Sequence, residues 1–434
     1  MNEIIKTILT EWKEKNLPDI YEREIDLFDY SKLTVPKIIV ITGFRRVGKT
    51  YIALHLIKKL LKEKTRENII YLNFEDERIP AKTEFLTQII PVAKQISKEK
   101  IDFLFLDEIQ TIPNWSKWLR RIYDNSNIRI FVSGSSSKMS SKEIPTELRG
   151  RFLEAKVFPL SFKEFLRFKA LKFDVNTIKY SENRKAELLN ALNEYLKYGS
   201  LPEIVLSEEE KKAEIAISYY QTTVRRDIIE RHNIKNEEAL KALLRLMLNS
   251  TKYSVSKLYN NLKSMNYGIG KTTLQHYLGY IENSYFMFSV PIFSYKIKDQ
   301  MQYPRKNYFI DNIFLTNVST KFSKDYGRLY ENIVAIELKR RNKDIHYWEN
   351  SQHHEVDFVV KEGNNIKQLI QVCYNIDDFE TKKREARALL KASNELKCKN
   401  LLIITENHEK EEIMEWFGTK RKIKIIPIWK WLLE

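Results

Sequence analysis

The chain has 434 residues and a formal net charge of +16, and 43% of its residues are hydrophobic. This length exceeds what one hydrophobic core supports, so two or three domains are expected. No apolar run is long enough to cross a membrane, and residues 1–16 lack the apolar stretch of a signal peptide. Two cysteines, Cys373 and Cys398, without metal-ligand spacing predict reduced thiols in a cytoplasmic protein that does not bind membranes.

The basic excess favours a polyanionic partner, and DNA is the expected one. Both signs of charge are abundant, with 74 Lys and Arg against 58 Asp and Glu. The alternative is a generally high surface charge of the kind seen in thermophile proteins.

Residues 1–35 predict a leading helix and a polar connector, and residues 36–160 predict an α/β unit. Its expected strands are 37–42, 69–73, 101–107, 128–133 and 152–158, and its expected helices are 49–62, 84–97 and 115–123. Strands that alternate with helices in this way form a parallel sheet with crossover helices. A ligand then binds at the carboxyl ends of the strands.

A Gly-Phe-Arg-Arg-Val-Gly-Lys-Thr sequence at 43–50 separates the first strand from the first helix of this unit. This G-x-x-x-x-G-K-T pattern predicts a P-loop, whose glycines let backbone N–H groups surround phosphate oxygens. Lys49 is expected to reach the β- and γ-phosphates of ATP, and the Thr50 hydroxyl to bind Mg²⁺. The residues expected to contact nucleotide in this segment are Gly43, Arg46, Gly48, Lys49, Thr50 and Tyr51.

Two carboxylates, Asp107 and Glu108, end the buried strand at 103–107. Asp107 is expected to hold the Mg²⁺ ion, and Glu108 to orient or deprotonate the attacking water. Ser133 or Ser135, at the exit of the next strand, is a candidate sensor of the γ-phosphate, with ordinary turn residues as the alternative.

Residues 161–235 predict a helical lid, interrupted at 199–203. Residues 236–323 predict a winged helix, with helices at 254–264 and 272–283 and a wing from strands at 285–293 and 307–310. Lys271, Gln275 and His276 would then face a DNA major groove. A winged helix that only packs against its neighbours is the alternative.

Residues 324–434 predict a second α/β unit. It opens with a helix at 330–341, followed by strands at 345–349, 355–360 and 368–374. A helix at 379–395, a strand at 401–405, a short helix at 409–416 and a strand and helix within 423–432 complete it.

Several motifs together resemble the archaeal and bacterial AAA-type ATPases that carry a C-terminal DUF4143-like region. The motifs lie at 43–50, 106–110, 132–136, 148–152, 159–162 and 199–203. The resemblance implies an additional-strand P-loop core, a winged helix and a restriction-endonuclease-like C-terminal fold. It also implies that Arg151 is a catalytic arginine, in cis or across a subunit interface of a homo-oligomer, and that Pro202 lies near the nucleotide base.

The resemblance further implies a nuclease-like site in the C-terminal unit. Glu331 and Asp357 match the helix Glu and strand Asp of such sites. Gln371 and Cys373 stand where Glu and Lys are usual, so Lys382 or Lys383 would have to replace the lysine. We therefore expect a degenerate nuclease fold that has kept a DNA-binding role.

Three functions follow from these observations. The first is a DNA-binding ATPase that remodels duplex or branched DNA. The second is a metal-dependent nuclease gated by ATP. The third is an ATP-driven switch that acts on a protein partner without nucleic acid.

Overall fold

The computed structural model describes residues 1–97, 99–134, 146–172, 181–319 and 325–434. These residues form two compact units: residues 1–158 with 283–285, and residues 159–282 with 286–434. The division of the sequence into five segments stays a prediction. No helix in the described part of the chain is long and apolar enough to span a membrane.

The first unit is built on a five-stranded parallel sheet with the strand order β2-β3-β4-β1-β5. Its strands are β1 (Ile38–Gly43), β2 (Ile69–Asn73), β3 (Phe103–Asp107), β4 (Arg129–Ser133) and β5 (Phe152–Val157). Its helices are α1 (Asn2–Glu14), α2 (Phe28–Ser31), α3 (Lys49–Leu60), α4 (Thr83–Ile96) and α5 (Trp115–Asn125), with 3₁₀ turns at Arg66–Asn68, Ile109–Thr111 and Thr146–Leu148. Every residue of β1 and β3 is buried, as expected for parallel strands covered on both faces.

The second unit begins with a helical region. Its helices are α6 (Phe162–Phe168), α7 (Glu182–Tyr198), α8 (Pro202–Leu206), α9 (Glu209–Thr222) with a π-helical continuation (Thr223–Glu230), and α10 (Glu237–Leu248). The predicted interruption at 199–203 is the connection between α7 and α8.

A three-stranded sheet with the order β6-β8-β7 follows in the same unit. This part contains β6 (Lys252–Tyr253), α11 (Val255–Ser264), α12 (Lys271–Asn283), β7 (Met287–Val290), α13 (Ile297–Gln302), β8 (Arg305–Phe309) and α14 (Asn312–Asn317). The segment predicted to be a winged helix therefore contains helices α10 to α14 and this three-stranded sheet, and the winged-helix assignment stays a prediction.

The C-terminal part holds a mixed six-stranded sheet with the order β13-β14-β12-β11-β10-β9. Its elements are α15 (Tyr326–Arg340), β9 (Asp344–Glu349), β10 (Glu355–Glu362), β11 (Asn365–Val372), α16 (Phe379–Glu395), β12 (Leu401–Thr405), β13 (Lys410–Trp416), β14 (Thr419–Pro427) and α17 (Ile428–Leu433). The α/β fold class expected from the sequence is confirmed.

One predicted element of this part is wrong. Residues 409–416 were expected to be helical, but Lys410–Trp416 is strand β13, antiparallel to β14. Glu and Met favour helices intrinsically, yet here Glu411 and Glu415 stand opposite Lys424 and Lys420 of β14. These pairs of opposite charge stabilise the strand register, so tertiary pairing overrides the local preference.

Candidate functional site

The loop after β1 has the backbone conformation of a phosphate-binding nest. Gly43, Arg46 and Gly48 have φ angles of 145°, 67° and 94°. A Cβ atom on Gly43 would lie 2.2 Å from the carbonyl oxygen of Val157, so the strand packing leaves no room for a side chain there. Left-handed residues alternating with right-handed ones turn successive N–H groups toward one point.

Lys49 and Thr50, the side chains expected to bind the phosphates and the metal ion, lie at this loop. Lys49 is buried, and its Nζ donates to the carbonyl oxygens of Gly43 (3.1 Å) and Phe44 (3.0 Å). The ammonium therefore lies against the loop that would surround the phosphates. Arg46 and Tyr51 are both exposed, and Tyr51 is on the first turn of α3.

Asp107 lies at the centre of a hydrogen-bonded cluster at the end of β3. Its Oδ2 accepts from the Thr50 hydroxyl at 2.6 Å and from the Tyr71 hydroxyl at 3.2 Å, and its Oδ1 accepts from the Ser133 hydroxyl. Burial, and then the charge of Asp107, raise the pKa of Tyr71 far above its ordinary value, so this phenol stays a donor. Two of the partners, Tyr71 and Ser133, were not predicted to contact Asp107.

The Asp107 cluster fits a bound Mg²⁺–ATP. A hydroxyl oxygen and a carboxylate meet beside the loop that presents N–H groups and an ammonium, and these are the ligand types that Mg²⁺ and phosphates prefer. Ser133 contacts Asp107, which makes it a positioning residue in this structure. Its role as a γ-phosphate sensor stays a prediction, and Ser135 lies outside the described residues.

Glu108 follows Asp107 in a left-handed conformation, with φ of 56°. Its backbone N–H donates to the Ser133 carbonyl oxygen at 3.0 Å, and its carboxylate accepts from the Gln110 amide. A non-glycine residue in this region costs conformational energy, and such residues cluster at functional sites. Glu108 is thus held at the strand tip beside the Asp107 cluster.

Arg151 lies at the amino-terminal end of the parallel strands, whereas the P-loop lies at their carboxyl-terminal end. Phe152, which follows it, pairs with Ile38 at the start of β1, whereas the P-loop leaves the far end of β1 at Gly43. Six residue steps of ~3.3 Å separate Arg151 from Val157, the partner of Gly43, so Arg151 lies about 20 Å from the loop. Its guanidinium is bound to Asp124 at 3.0 Å. Arg151 is therefore remote from the P-loop of its own chain in this structure, and its catalytic role, in cis or across a subunit interface, stays a prediction.

Pro202 is the first residue of α8, in the second unit. The preceding turn is fixed by Asp311, whose Oδ2 accepts from the backbone N–H of Ser200 at 2.7 Å and from its hydroxyl at 2.9 Å. The contact between Pro202 and the nucleotide base stays a prediction.

The nuclease-like residues form a second cluster, in the C-terminal part. Glu331 and Asp357 do come together, but on the ammonium of Lys306, at 2.8 Å and 2.7 Å. Gln371 does not face that point. Its amide nitrogen donates to Glu385 at 2.7 Å, and its oxygen accepts from the Asp357 backbone N–H at 3.3 Å.

The proposed replacement lysines are elsewhere. Lys382 forms an ion pair with Glu412 at 2.7 Å, and Lys383 lies over the Phe379 ring. The sequence contained a signal for the lysine that is present. Lys306 and Tyr308, two apart on one strand, share a face, as do Glu355 and Asp357.

Comparisons with known proteins agree with this architecture. A family model described as an AAA domain (AAA_14) matches residues 35–166. Models of two domains of unknown function, DUF8612 and DUF4143, match residues 189–325 and 326–431.

Two relatives match this chain over more than nine-tenths of their length. The chain is 42% identical to the uncharacterized protein MJ1544 of Methanocaldococcus jannaschii, over 95% of this chain and 91% of the relative. It is 30% identical to an uncharacterized protein of Haemophilus influenzae, over 92% of this chain and 94% of the relative.

Solved structures are more distant. The Walker-type ATPase PABY2304 of Pyrococcus abyssi is similar at a TM-score of 0.45 and 14% identity, over 70% of this chain and 99% of that one. The Aeropyrum pernix ORC1 protein, solved in complex with DNA, has a TM-score of 0.32 and 12% identity, over 78% and 93%. Similarities of this size do not indicate what the chain acts on.

The 42% identity over 95% of this chain shows the family. The chain belongs to the protein family of MJ1544, with an AAA-type P-loop domain followed by DUF8612 and DUF4143.

Proposed function

We propose that this protein hydrolyses ATP and couples the nucleotide cycle to binding or remodelling of duplex or branched DNA. The observation that carries the first half is the Thr50–Asp107 contact of 2.6 Å at the P-loop, with Glu108 held next to it. The preference for ATP over GTP rests on the family.

Each residue of the site has a separate task in hydrolysis. The loop N–H groups and Lys49 bind the phosphates, while Thr50 and Asp107 hold Mg²⁺, which neutralises phosphate charge when bound. Glu108 orients the attacking water and accepts its proton. Ser133 and Tyr71 keep the Asp107 carboxylate in place.

Two variants test these roles. Lys49→Ala should abolish binding of a fluorescent ATP analogue. Glu108→Gln should bind ATP as tightly as wild type and hydrolyse it at least ~100-fold more slowly, because proton transfer contributes about that factor. Glu108→Asp is the matched variant that keeps the charge, and it should retain part of the rate. Normal turnover by Glu108→Gln would remove the proposed role of Glu108.

The second half of the proposal rests on the surface around α12 and the β7–β8 connection. Lys271, Gln275 and His276 of α12 are exposed, as a helix that enters a major groove requires. A helix that only faces solvent also exposes polar side chains, so the exposure of these α12 residues does not by itself distinguish a DNA-binding helix from an ordinary surface helix.

The β7–β8 connection adds a feature that a solvent-facing loop does not need. Tyr295, Ile297 and Met301 are 77%, 74% and 72% exposed, and Lys296 and Lys298 stand between and beside them. Apolar and aromatic tips flanked by lysines are how wings and arms insert into a DNA groove while the ammonium groups contact phosphates. With the net charge of +16, this favours nucleic acid over a protein partner.

Salt dependence of DNA binding tests this surface. The logarithm of the binding constant should fall linearly as the logarithm of the salt concentration rises. The double variant Lys296→Ala/Lys298→Ala should make this negative slope shallower by about 2. The matched control is Lys211→Ala/Lys241→Ala, which removes the same charge from lysines already paired with glutamates. Equal effects of both pairs would mean that only net charge matters. Absence of salt-dependent binding would favour the protein-partner switch.

A further inference from the structure

Lys306 of β8 is enclosed by three carboxylates of the C-terminal part. Its ammonium lies 2.8 Å from Glu331, 2.5 Å from Glu355 and 2.7 Å from Asp357. The lysine is 3% exposed. Three carboxylate oxygens, one from α15 and two from β10, thus surround one position, and the ammonium of Lys306 occupies it.

The second oxygens of Glu355 and Asp357 also accept hydrogen bonds, and the Glu331 oxygen that contacts Lys306 accepts one more. Lys252, the strand partner of Lys306, donates to the second oxygen of Glu355 at 2.6 Å. The Val372 backbone N–H donates to the second oxygen of Asp357 at 2.8 Å, and the Tyr308 hydroxyl donates to Glu331 at 2.6 Å. The carboxylates are therefore oriented by N–H and O–H donors.

This donor set does not fit the divalent ion of a nuclease. Mg²⁺ needs oxygen ligands at about 2.0–2.1 Å in octahedral geometry, which the enclosed amine obstructs. Gln371, which could offer a carbonyl oxygen, instead bonds Glu385 and the Asp357 backbone. In the arrangement that the described residues adopt, no group of three or more His, Cys, Asp or Glu side chains is placed to hold a metal ion.

The electrostatics favour a permanently charged lysine. Burial by itself would lower the pKa of Lys306, but the charges of Asp357 and Glu331 raise it well above its ordinary value. Removal of the ammonium would leave three carboxylates together in a buried site, which is strongly unfavourable.

We propose that Lys306 is a built-in cation that takes the place of the divalent metal ion at this acidic cluster. The C-terminal part then does not cut DNA with a metal ion, and the cluster instead ties β6 and β8 to α15 and β10. This inference does not rest on the proposed ATPase or DNA-binding functions.

Removing the amine should turn the cluster into a metal site. Lys306→Ala leaves the carboxylates and creates space among them. Mn²⁺ binding to nucleotide-free protein, followed by electron paramagnetic resonance, should show one additional ion in Lys306→Ala, bound at least tenfold more tightly than by wild type. Both proteins share the P-loop, so the difference reports the acidic cluster. Lys306→Ala/Asp357→Asn should lose the added ion.

Several results would overturn the proposal. One is a folded Lys306→Ala that gains no ion, since the amine would then not occupy a cation site. Another is a wild-type protein that binds Mn²⁺, or nicks DNA with Mn²⁺, in a manner lost in Asp357→Asn. The wild type and Asp357→Asn pair decides the question if Lys306→Ala does not fold, with equal Mn²⁺ binding and no cleavage as the expected result. None of these measurements requires ATP turnover.

Discussion

Replacing Lys306 by methionine removes the charge of the cluster while keeping most of the side-chain volume. Three carboxylates within 2.5–2.8 Å of the amine lose their common partner, and the lysine side chain is only 4% exposed. Breaking a buried ion pair by removing one partner costs about 3–5 kcal/mol. At about 2–4 °C per kcal/mol for a domain of this size, the melting temperature should fall by about 6–20 °C at pH 8.

The loss should depend on pH. Burial raises the pKa of Asp357 to about 7 already in the wild type. A carboxyl whose pKa is raised on folding stabilises the fold below its unfolded pKa, and this contribution disappears as the pH rises through the folded value. Without the ammonium, the pKa values of the carboxylates rise further, so Lys306→Met should take up a proton on acidification. Its stability deficit should therefore shrink between pH 8 and pH 5.5.

Thermal and urea unfolding followed by circular dichroism at the two pH values would measure this deficit. Lys252→Met is the matched control, because Lys252 contacts two carboxylates but its side chain is 24% exposed. Lys252→Met should lower the free energy of unfolding clearly less than Lys306→Met does. A deficit below about 1 kcal/mol that is the same at both pH values would refute the electrostatic role of Lys306.

Three further predictions concern other sites. Gly43→Ala should weaken binding of a fluorescent ATP analogue at least tenfold, because its Cβ would meet the Val157 carbonyl, whereas Gly279→Ala on α12, whose Cβ meets nothing within 4 Å, should not. Arg151→Ala should leave ATP affinity unchanged but abolish any rise of ATPase rate per chain with protein concentration; a loss of affinity would contradict action across an interface. Burial raises the pKa of Asp311 to about 6, so the stability it contributes should disappear as the pH rises through 6. Asp311→Asn should therefore make the free energy of unfolding change less between pH 4 and pH 7.

The P-loop part of the structure was predictable because its signals are local. The glycines, Lys49 and Thr50 lie within eight residues, and the buried strands are continuous apolar runs. The bounds of the five predicted strands agree with the structure to within two residues at each end. Family membership and the α/β fold class follow from those same motifs and are confirmed.

The parts that were missed depend on contacts distant in sequence. Lys306 meets Glu331 and Asp357 across 25 and 51 residues, so the two-residue spacing of Lys306 and Tyr308 indicates a shared strand face but not the carboxylates that they contact. The composition of β13 predicts a helix, but its antiparallel pairing with β14 makes it a strand. Arg151 was recognised by its motif, but its distance from the P-loop follows only from the sheet register.

The ATPase rate of the protein with and without DNA tests the proposed function most directly, at about 50 and 200 mM salt, a range over which phosphate contacts weaken strongly. Linear duplex, single strand and four-way junction would be compared, with Lys49→Ala as the background. A DNA-remodelling ATPase should show turnover that DNA stimulates, that depends on the shape of the DNA and that loses its stimulation at the higher salt concentration. An unchanged rate with every DNA, together with no salt-dependent binding, would contradict the proposed function and assign the nucleotide cycle to a protein partner.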